Sequence, residues 1–208
     1  MKILMTGFEP FGGDTAMNPS WSAVEAMQAT IAGAEIVKYR LPVTYDGAGK
    51  ELCRILREAQ PTAVIAVGQA GGRAAVTPER VAINWMEGTV PDNEGRLCQG
   101  EPIRMAGPAA YFSTLPLRSI VEALHNAGIP AAVSNSAGTY VCNALLYALM
   151  EHLALYRPQT IGGFIHVPFT PEQAAARPAG TPSMALPLTV RALEIAAAAT
   201  AAALGTQR

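Results

Sequence analysis

Cysteine is scarce in this chain, and what there is does not pair. Cys53, Cys98 and Cys142 are three in number, with no two close together. That pattern argues against a disulfide framework and against a Cys-rich zinc site, so each is read as an individual thiol. Charge is sparse too, at 15% of residues, and balanced: 15 Lys+Arg face 16 Asp+Glu, for a formal net charge of -1. With charges scattered rather than gathered on a basic face, nucleic acid is not an expected partner. Long hydrophobic runs are also lacking. The longest apolar tract, around Ile195 to Leu204, is mostly alanine and reads as short of the ~18 residues that suggest a membrane span. Met1 to Thr6 is too short for the apolar region of a secretion signal. The expectation is a cytoplasmic protein with no membrane partner.

What is present is core material. A chain of 208 residues, 50% of them hydrophobic, can bury a sizeable interior as one domain, 1–208. No internal repeat or low-complexity linker divides it. Short β-rich runs at Lys2 to Thr6, Ile36 to Val43, Ala63 to Val67, Ala131 to Ser134 and Ile161 to Val167 alternate with helical patterns. Asn18-Pro19 fits an N-cap and first helical position, opening a helix to about Thr30. Gly47 to Gln60, Leu117 to Asn126 and Val141 to Tyr156 have helical apolar spacing, and a last helix covers about Thr189 to Leu204. Strands joined by helices imply an α/β fold, a mostly parallel, twisted sheet with helices on both faces. Ligands of such sheets bind at the carboxyl ends of the strands.

That rule selects four loops: Gly7 to Gly13, Gly68 to Arg73, Ser134 to Cys142 and His166 to Phe169. TGFEPFGG lacks the phosphate-loop spacing and its Lys, and GQAGGR misses the dinucleotide spacing. Phe8 and Phe11 instead suggest an apolar wall for a small neutral ligand. Cys142 falls in the first turn of a helix, where unpaired N–H groups and the helix dipole favour a thiolate. His166 ends an apolar strand just before Pro168. A Cys/His pair on one sheet edge is the simplest account of both. Cys53 and Cys98 read as structural thiols. His125 and His152 read as cations near the ends of polar-faced helices. A third group should orient the imidazole, but 16 carboxylates leave it unchosen. A Ser hydrolase using Ser134 or Ser136, or a non-catalytic binding protein, would use the same crevice.

In order along the chain, TGFEPFGG, NPS, VGQAGGR, PERVAIN, PDNEG, GPAAYFSTLP, SNSAGTYVCN and GGFIHVPFTPEQ resemble the pyroglutamyl peptidase I family of cysteine peptidases. The resemblance implies a phosphorylase-like α/β fold, a homotetramer, and no metal or organic cofactor. It also implies a catalytic triad of Glu79, Cys142 and His166, acting on peptides with an N-terminal pyroglutamate through a thioester acyl-enzyme. The substrate pocket then maps onto Phe8, Phe11, Asn18, Gln69, Val90, Tyr140 and Val141. Two departures stand out: Thr89 where many relatives carry Arg, and Val43 where some carry Thr. The Pro-rich segment Pro168 to Pro187 reads as an irregular surface loop.

Overall fold

The computed structural model describes residues 1–12 and 17–206; Gly13, the end of the first loop singled out above, lies outside them. A six-stranded sheet forms the centre, in the order β2(Thr30–Ile31), β3(Ala34–Leu41), β1(Lys2–Phe8), β4(Ala63–Gln69), β10(Ile161–Val167), β5(Thr77–Pro78). The four inner strands run parallel, while β2 and β5 close the two edges antiparallel, so the sheet is mixed rather than simply parallel. Two small hairpin-like pairs stand apart from it: β6(Val81–Ile83) with β9(Ala110–Phe112), and β7(Met86–Glu87) with β8(Gln99–Glu101).

The inner strands are nearly all apolar because both faces are covered. Ile3, Met5, Ile65, Val67, Ile165 and Val167 point to one side. They pack under α1(Pro19–Ala26), α3(Leu117–Asn126) and α6(Leu186–Gly205). Leu4, Phe8, Val64, Ala66 and Phe164 point to the other side, under α2(Gly47–Ala59) and α4(Val141–Tyr156). Side chains alternate along a strand, so His166, two residues beyond Phe164, faces α4. Two glycines admit that helix. A Cβ at Gly162 would meet Leu153 Cδ1 at 2.6 Å, and one at Gly68 would meet Cys142 Sγ at 2.9 Å.

Several expectations are corrected. The first helix stops at Ala26, because Ala32 (φ 48°) and Gly33 (φ 76°) form a two-residue turn that puts Thr30–Ile31 into the sheet. Ala131 to Ser134 makes isolated bridges to Val76 and Glu79, not a strand. Hydrogen bonds do run along it, such as Ala132 N to Val76 O and Ser134 N to Pro78 O, but Pro78 has no N–H to continue the ladder. The last helix spans 20 residues with mean hydropathy 1.4 in its most apolar window, long and apolar enough to cross a membrane by length and composition. Here its Ala192, Leu193, Ala196 and Ala197 are fully buried in the core. The Pro-rich segment contains α5(Pro171–Ala175), opened by a capping box in which Thr170 and Gln173 satisfy each other's backbone N–H groups.

Candidate active site

His166 and Gly68 are register partners on adjacent parallel strands, and the Cys142 thiol lies over Gly68. Strand spacing puts Gly68 about 5 Å from His166, and the thiol lies on the imidazole's face of the sheet. Cys142 is the second residue of α4, after Tyr140 at the N-cap, where main-chain N–H groups have no partner inside the helix. The other imidazole nitrogen that matters is Nδ1, which is 2.7 Å from Glu79 Oε1.

Glu79 reaches this position through the backbone. Just beyond edge strand β5, its N–H donates to Phe164 O at 2.8 Å, and the next N–H, of Arg80, donates to Ser134 O at 2.8 Å. Asn143 then fixes the following segment to α4: its Nδ2 donates to Ile83 O and Trp85 O, each at 2.9 Å, while Ile83 N donates to its Oδ1 at 3.0 Å. The residue after the thiol thus clasps the segment that carries the carboxylate.

Glu79 is completely buried, as is nearly all of His166. Burial alone would raise the carboxyl, but the hydrogen bond and charge of His166, helped by Arg73, bring it below the ordinary value. Its Oε2 makes no hydrogen bond, the Ser134 hydroxyl beside it being turned to Ser136 O at 3.1 Å. For His166 burial dominates and lowers the pKa, against the raising effect of Glu79. For Cys142 burial pushes the thiol up to about 12, with the Glu79 charge adding and Arg73 opposing. A thiolate stabilised at rest, as a helix start suggests, is therefore not what this site favours. Cys142 keeps part of its surface exposed, yet desolvation works against what the helix terminus offers: the thiol is raised while the buried imidazole is lowered.

Beside the thiol is a slot lined by Phe8, Phe11, Asn18, Val43, Gln69, Tyr140 and Val141, together with Cys142. Six of the seven residues expected around the substrate thus meet here. The exception is Val90, which is 44% exposed and lies in an adjoining cleft with Thr89 and Glu87, sharing only Phe11 and Tyr140 with the slot. Asn18 has its carboxamide committed: Oδ1 accepts from Ser20 N at 3.0 Å and Ser20 Oγ at 2.8 Å, and Nδ2 donates to Glu9 O at 2.9 Å. It shapes the wall by capping α1. Gln69 Oε1 accepts from Gln173 Nε2 at 2.9 Å, which ties α5 to the slot. The slot holds only about 10 Å³ of accessible space, about one water's worth. Phe11, Gln69, Tyr140 and Cys142 are the slot's partly exposed members.

The other thiols and imidazoles are elsewhere. Cys98 is buried, with burial pushing it up to about 11. Cys53 lines a separate cavity of about 630 Å³ beside α2 and α4. His125, in the last turn of α3, has Nε2 2.7 Å from Ala131 O. His152 departs from the polar-face reading: it is buried in α4, its Nε2 has no partner, and burial with the Arg157 and Arg57 charges lowers its pKa. No group of three or more His, Cys, Asp or Glu able to hold a metal occurs among the described residues.

A family model for pyroglutamyl peptidase matches residues 1–203. The chain belongs to the pyroglutamyl peptidase family. It is accordingly a cysteine peptidase, a hydrolase. It is 54% identical over 195 residues to a pyrrolidone-carboxylate peptidase of Thermococcus onnurineus (strain NA1), covering 94% of this chain and 96% of that one. Against the pyrrolidone-carboxylate peptidase of Bacillus velezensis it is 48% identical over 202 residues, covering 97% and 93%. Among solved structures, the pyroglutamyl peptidase I of Bacillus amyloliquefaciens superposes with a TM-score of 0.92 at 47% identity, covering 96% of this chain and 94% of that chain. A mutant pyrrolidone carboxyl peptidase from Pyrococcus furiosus gives 0.93 at 40% identity, covering 98% and 100%.

Arg73, Asn143 and Gln173 were not singled out as site residues from the sequence. The signal for Asn143 was available: a polar side chain directly after the thiol, followed by the apolar run Ala144 to Met150.

Proposed function

We propose that this chain hydrolyses the bond after an N-terminal pyroglutamyl residue, with Cys142 as nucleophile, His166 as general base and acid, and Glu79 orienting the imidazole. One observation carries the assignment of roles. A buried carboxylate holds His166 Nδ1 at 2.7 Å on the sheet face where the only thiol at a helix start among the described residues lies over His166's neighbour Gly68.

With Nδ1 committed to Glu79, Nε2 is the nitrogen left for proton transfer. It takes the thiol proton as sulfur attacks the pyroglutamyl carbonyl carbon. The carbonyl oxygen becomes an oxyanion, for which the Cys142 N–H at the start of α4 is a donor. Imidazolium, stabilised by Glu79, gives its proton to the leaving amine, and the C–N bond breaks to leave a thioester. Water, deprotonated by His166, hydrolyses the thioester and restores the thiol. Apolar walls from Phe8, Phe11, Val43 and Val141 suit a neutral lactam. Selectivity against proline follows from the lactam C=O, which proline lacks, leaving a buried donor unpaired.

The test is hydrolysis of a fluorogenic pyroglutamyl amide before and after iodoacetamide treatment, with the modified residue located by mass spectrometry. Activity lost in step with Cys142 modification supports the assignment. Full activity with Cys142 stoichiometrically blocked would sink it and revive the serine reading, although Ser134 Oγ is hydrogen-bonded to Ser136 O rather than to His166.

A cytoplasmic location suits three unpaired cysteines, one of which must stay reduced to react. For the expected homotetramer, the exposed apolar side chains Phe112 (67%) and Met105 (90%) are candidate subunit contacts. Sedimentation analysis tests the assembly.

A further inference from the structure

Arg73 closes the Gly-rich loop that follows β4, and the mechanism above makes no use of it. The loop folds back on itself: Gly72 takes φ +85°, and Arg73 N donates to Ala70 O at 3.4 Å. The turn aims the guanidinium at the site. Nη1 donates to Glu79 Oε1 at 2.6 Å and to Thr77 Oγ1 at 2.5 Å, while Nη2 donates to Ser136 O at 3.1 Å. Glu79 Oε1 is also the oxygen that faces His166 Nδ1 at 2.7 Å. One carboxylate oxygen therefore serves a permanent cation and the imidazole together.

We infer that Arg73 is a positioning residue that sets the acid–base poise of Cys142 and His166 by sharing the charge of Glu79. This rests on the reading that those two residues react. If Glu79 served His166 alone, its full negative charge would bear on the imidazolium and raise its pKa. Arg73 neutralises part of that charge and makes the imidazolium a stronger acid. The same cation favours the thiolate. The ionisable groups facing the pair are Glu79, Arg73 and, beside the thiol at the start of α4, Tyr140.

The sign is the same however the proton is shared. Removing the cation raises both pKa values, since Arg73 lowers each of them. Whether the active form is the neutral pair or the ion pair, one group bounds the acid limb and the other the basic limb. Both limbs therefore move to higher pH. An adjacent charge shifts a titrating group by ~1–3 pH units, and Arg73 reaches the pair through the Glu79 oxygen it shares with His166. Arg73 keeps 30% side-chain exposure, so screening brings the expected displacement to about half a unit to one unit.

The experiment compares the pH profiles of kcat/KM and kcat for wild type, Arg73→Gln and Arg73→Lys on a fluorogenic pyroglutamyl amide. The pH dependence of Cys142 alkylation and the thermal unfolding of each protein are measured alongside. Gln removes the charge while keeping a polar side chain; Lys restores the charge. Expected are both limbs of Arg73→Gln displaced upward, a parallel displacement of the alkylation curve, KM little changed, and limbs near wild type in Arg73→Lys. Unmoved limbs with a uniform fall in kcat would overturn the inference and make Arg73 a brace for the Ser136 loop. So would unmoved limbs with a raised KM, the mark of a substrate contact. Should Arg73→Gln not fold, limbs displaced upward in the charged Lys variant would equally overturn it. Failure of the underlying assignment shows separately, as activity surviving in Cys142→Ala.

Discussion

Gly68→Ala tests the placement of the thiol most directly. Gly68 is not among the residues with positive φ, so its backbone accepts alanine, and the new methyl acts only through what it meets. Those atoms are Phe164 Cζ at 2.6 Å, Phe164 Cε1 at 2.9 Å and Cys142 Sγ at 2.9 Å. Phe164 is fully buried, its ring lying between Phe8 at 6.3 Å and His166 at 4.8 Å, so it has little room to yield. Restoring an ordinary contact of ~3.5–4.0 Å moves the sulfur by roughly 0.6–1 Å. A displacement near 1 Å costs about 10²-fold in turnover. Overpacking costs about 1–3 kcal/mol of stability, or roughly 2–12 °C in Tm for a domain of this size. Gly162→Ala is the control. Its methyl meets Leu153 Cδ1, also at 2.6 Å and on the same helix, but away from the thiol. Both variants should lose comparable stability, and only Gly68→Ala should lose turnover, read as kcat on a fluorogenic pyroglutamyl amide. If Gly68→Ala keeps kcat within about threefold of wild type, the sulfur does not react from the position over Gly68.

Cys142→Ala should abolish turnover with the fold intact by circular dichroism, whereas Cys53→Ala and Cys98→Ala should keep it; activity in Cys142→Ala comparable to wild type ends the proposal. Asn143→Ala strips three part-buried hydrogen bonds and should destabilise by ~1.5–3 kcal/mol in denaturant titration. Its kcat should fall too, because the segment carrying Glu79 loses its tie to α4; a stability loss under about 1 kcal/mol would refute the clasp. Thr89 is exposed and lies in the cleft beyond the slot, not beside Cys142. Thr89→Arg should therefore change kcat by less than about tenfold, or ~1.4 kcal/mol of barrier. A gain of 10² or more would show that an arginine there supplies an oxyanion donor that the main chain does not.

The parts of the fold written in local pattern were legible. Ile161–Val167, Leu117–Asn126 and Val141–Tyr156 are found with the bounds read from apolar runs, helical spacing and punctuation by Gly and Pro. What escaped depends on partners distant in sequence. The pairs β6–β9 and β7–β8 join segments of two or three residues whose hydrogen bonds, not their own propensities, make them strands. The end of α1 at Ala26 was overridden by a hairpin whose decisive residue, Ala32, takes a conformation that alanine rarely adopts. At the site, chain position put Cys142 and His166 on the same sheet edge. Glu79 could not be chosen that way, because nothing local separates it from the other carboxylates. It came from the family resemblance, and the 2.7 Å contact with His166 gives it a physical basis.

The protonation state of the thiol is where local reasoning and the assembled site part company. A helix start favours a thiolate by the field of a few aligned N–H groups, worth ~0.3–1 kcal/mol at an exposed terminus and up to ~2 where partly buried. At Cys142 that field competes with burial under Phe8, Phe164 and Tyr140 and with the negative charge of Glu79. Desolvation of a charge opposes that field and, with the charge of Glu79, raises the thiol above its ordinary value. For a neutral substrate that arrangement is consistent, since a lactam ring brings no charge to repel or to pair. In the proposed reaction the negative charge forms on sulfur as His166 takes the proton, with Glu79 2.7 Å from Nδ1 to stabilise the resulting imidazolium.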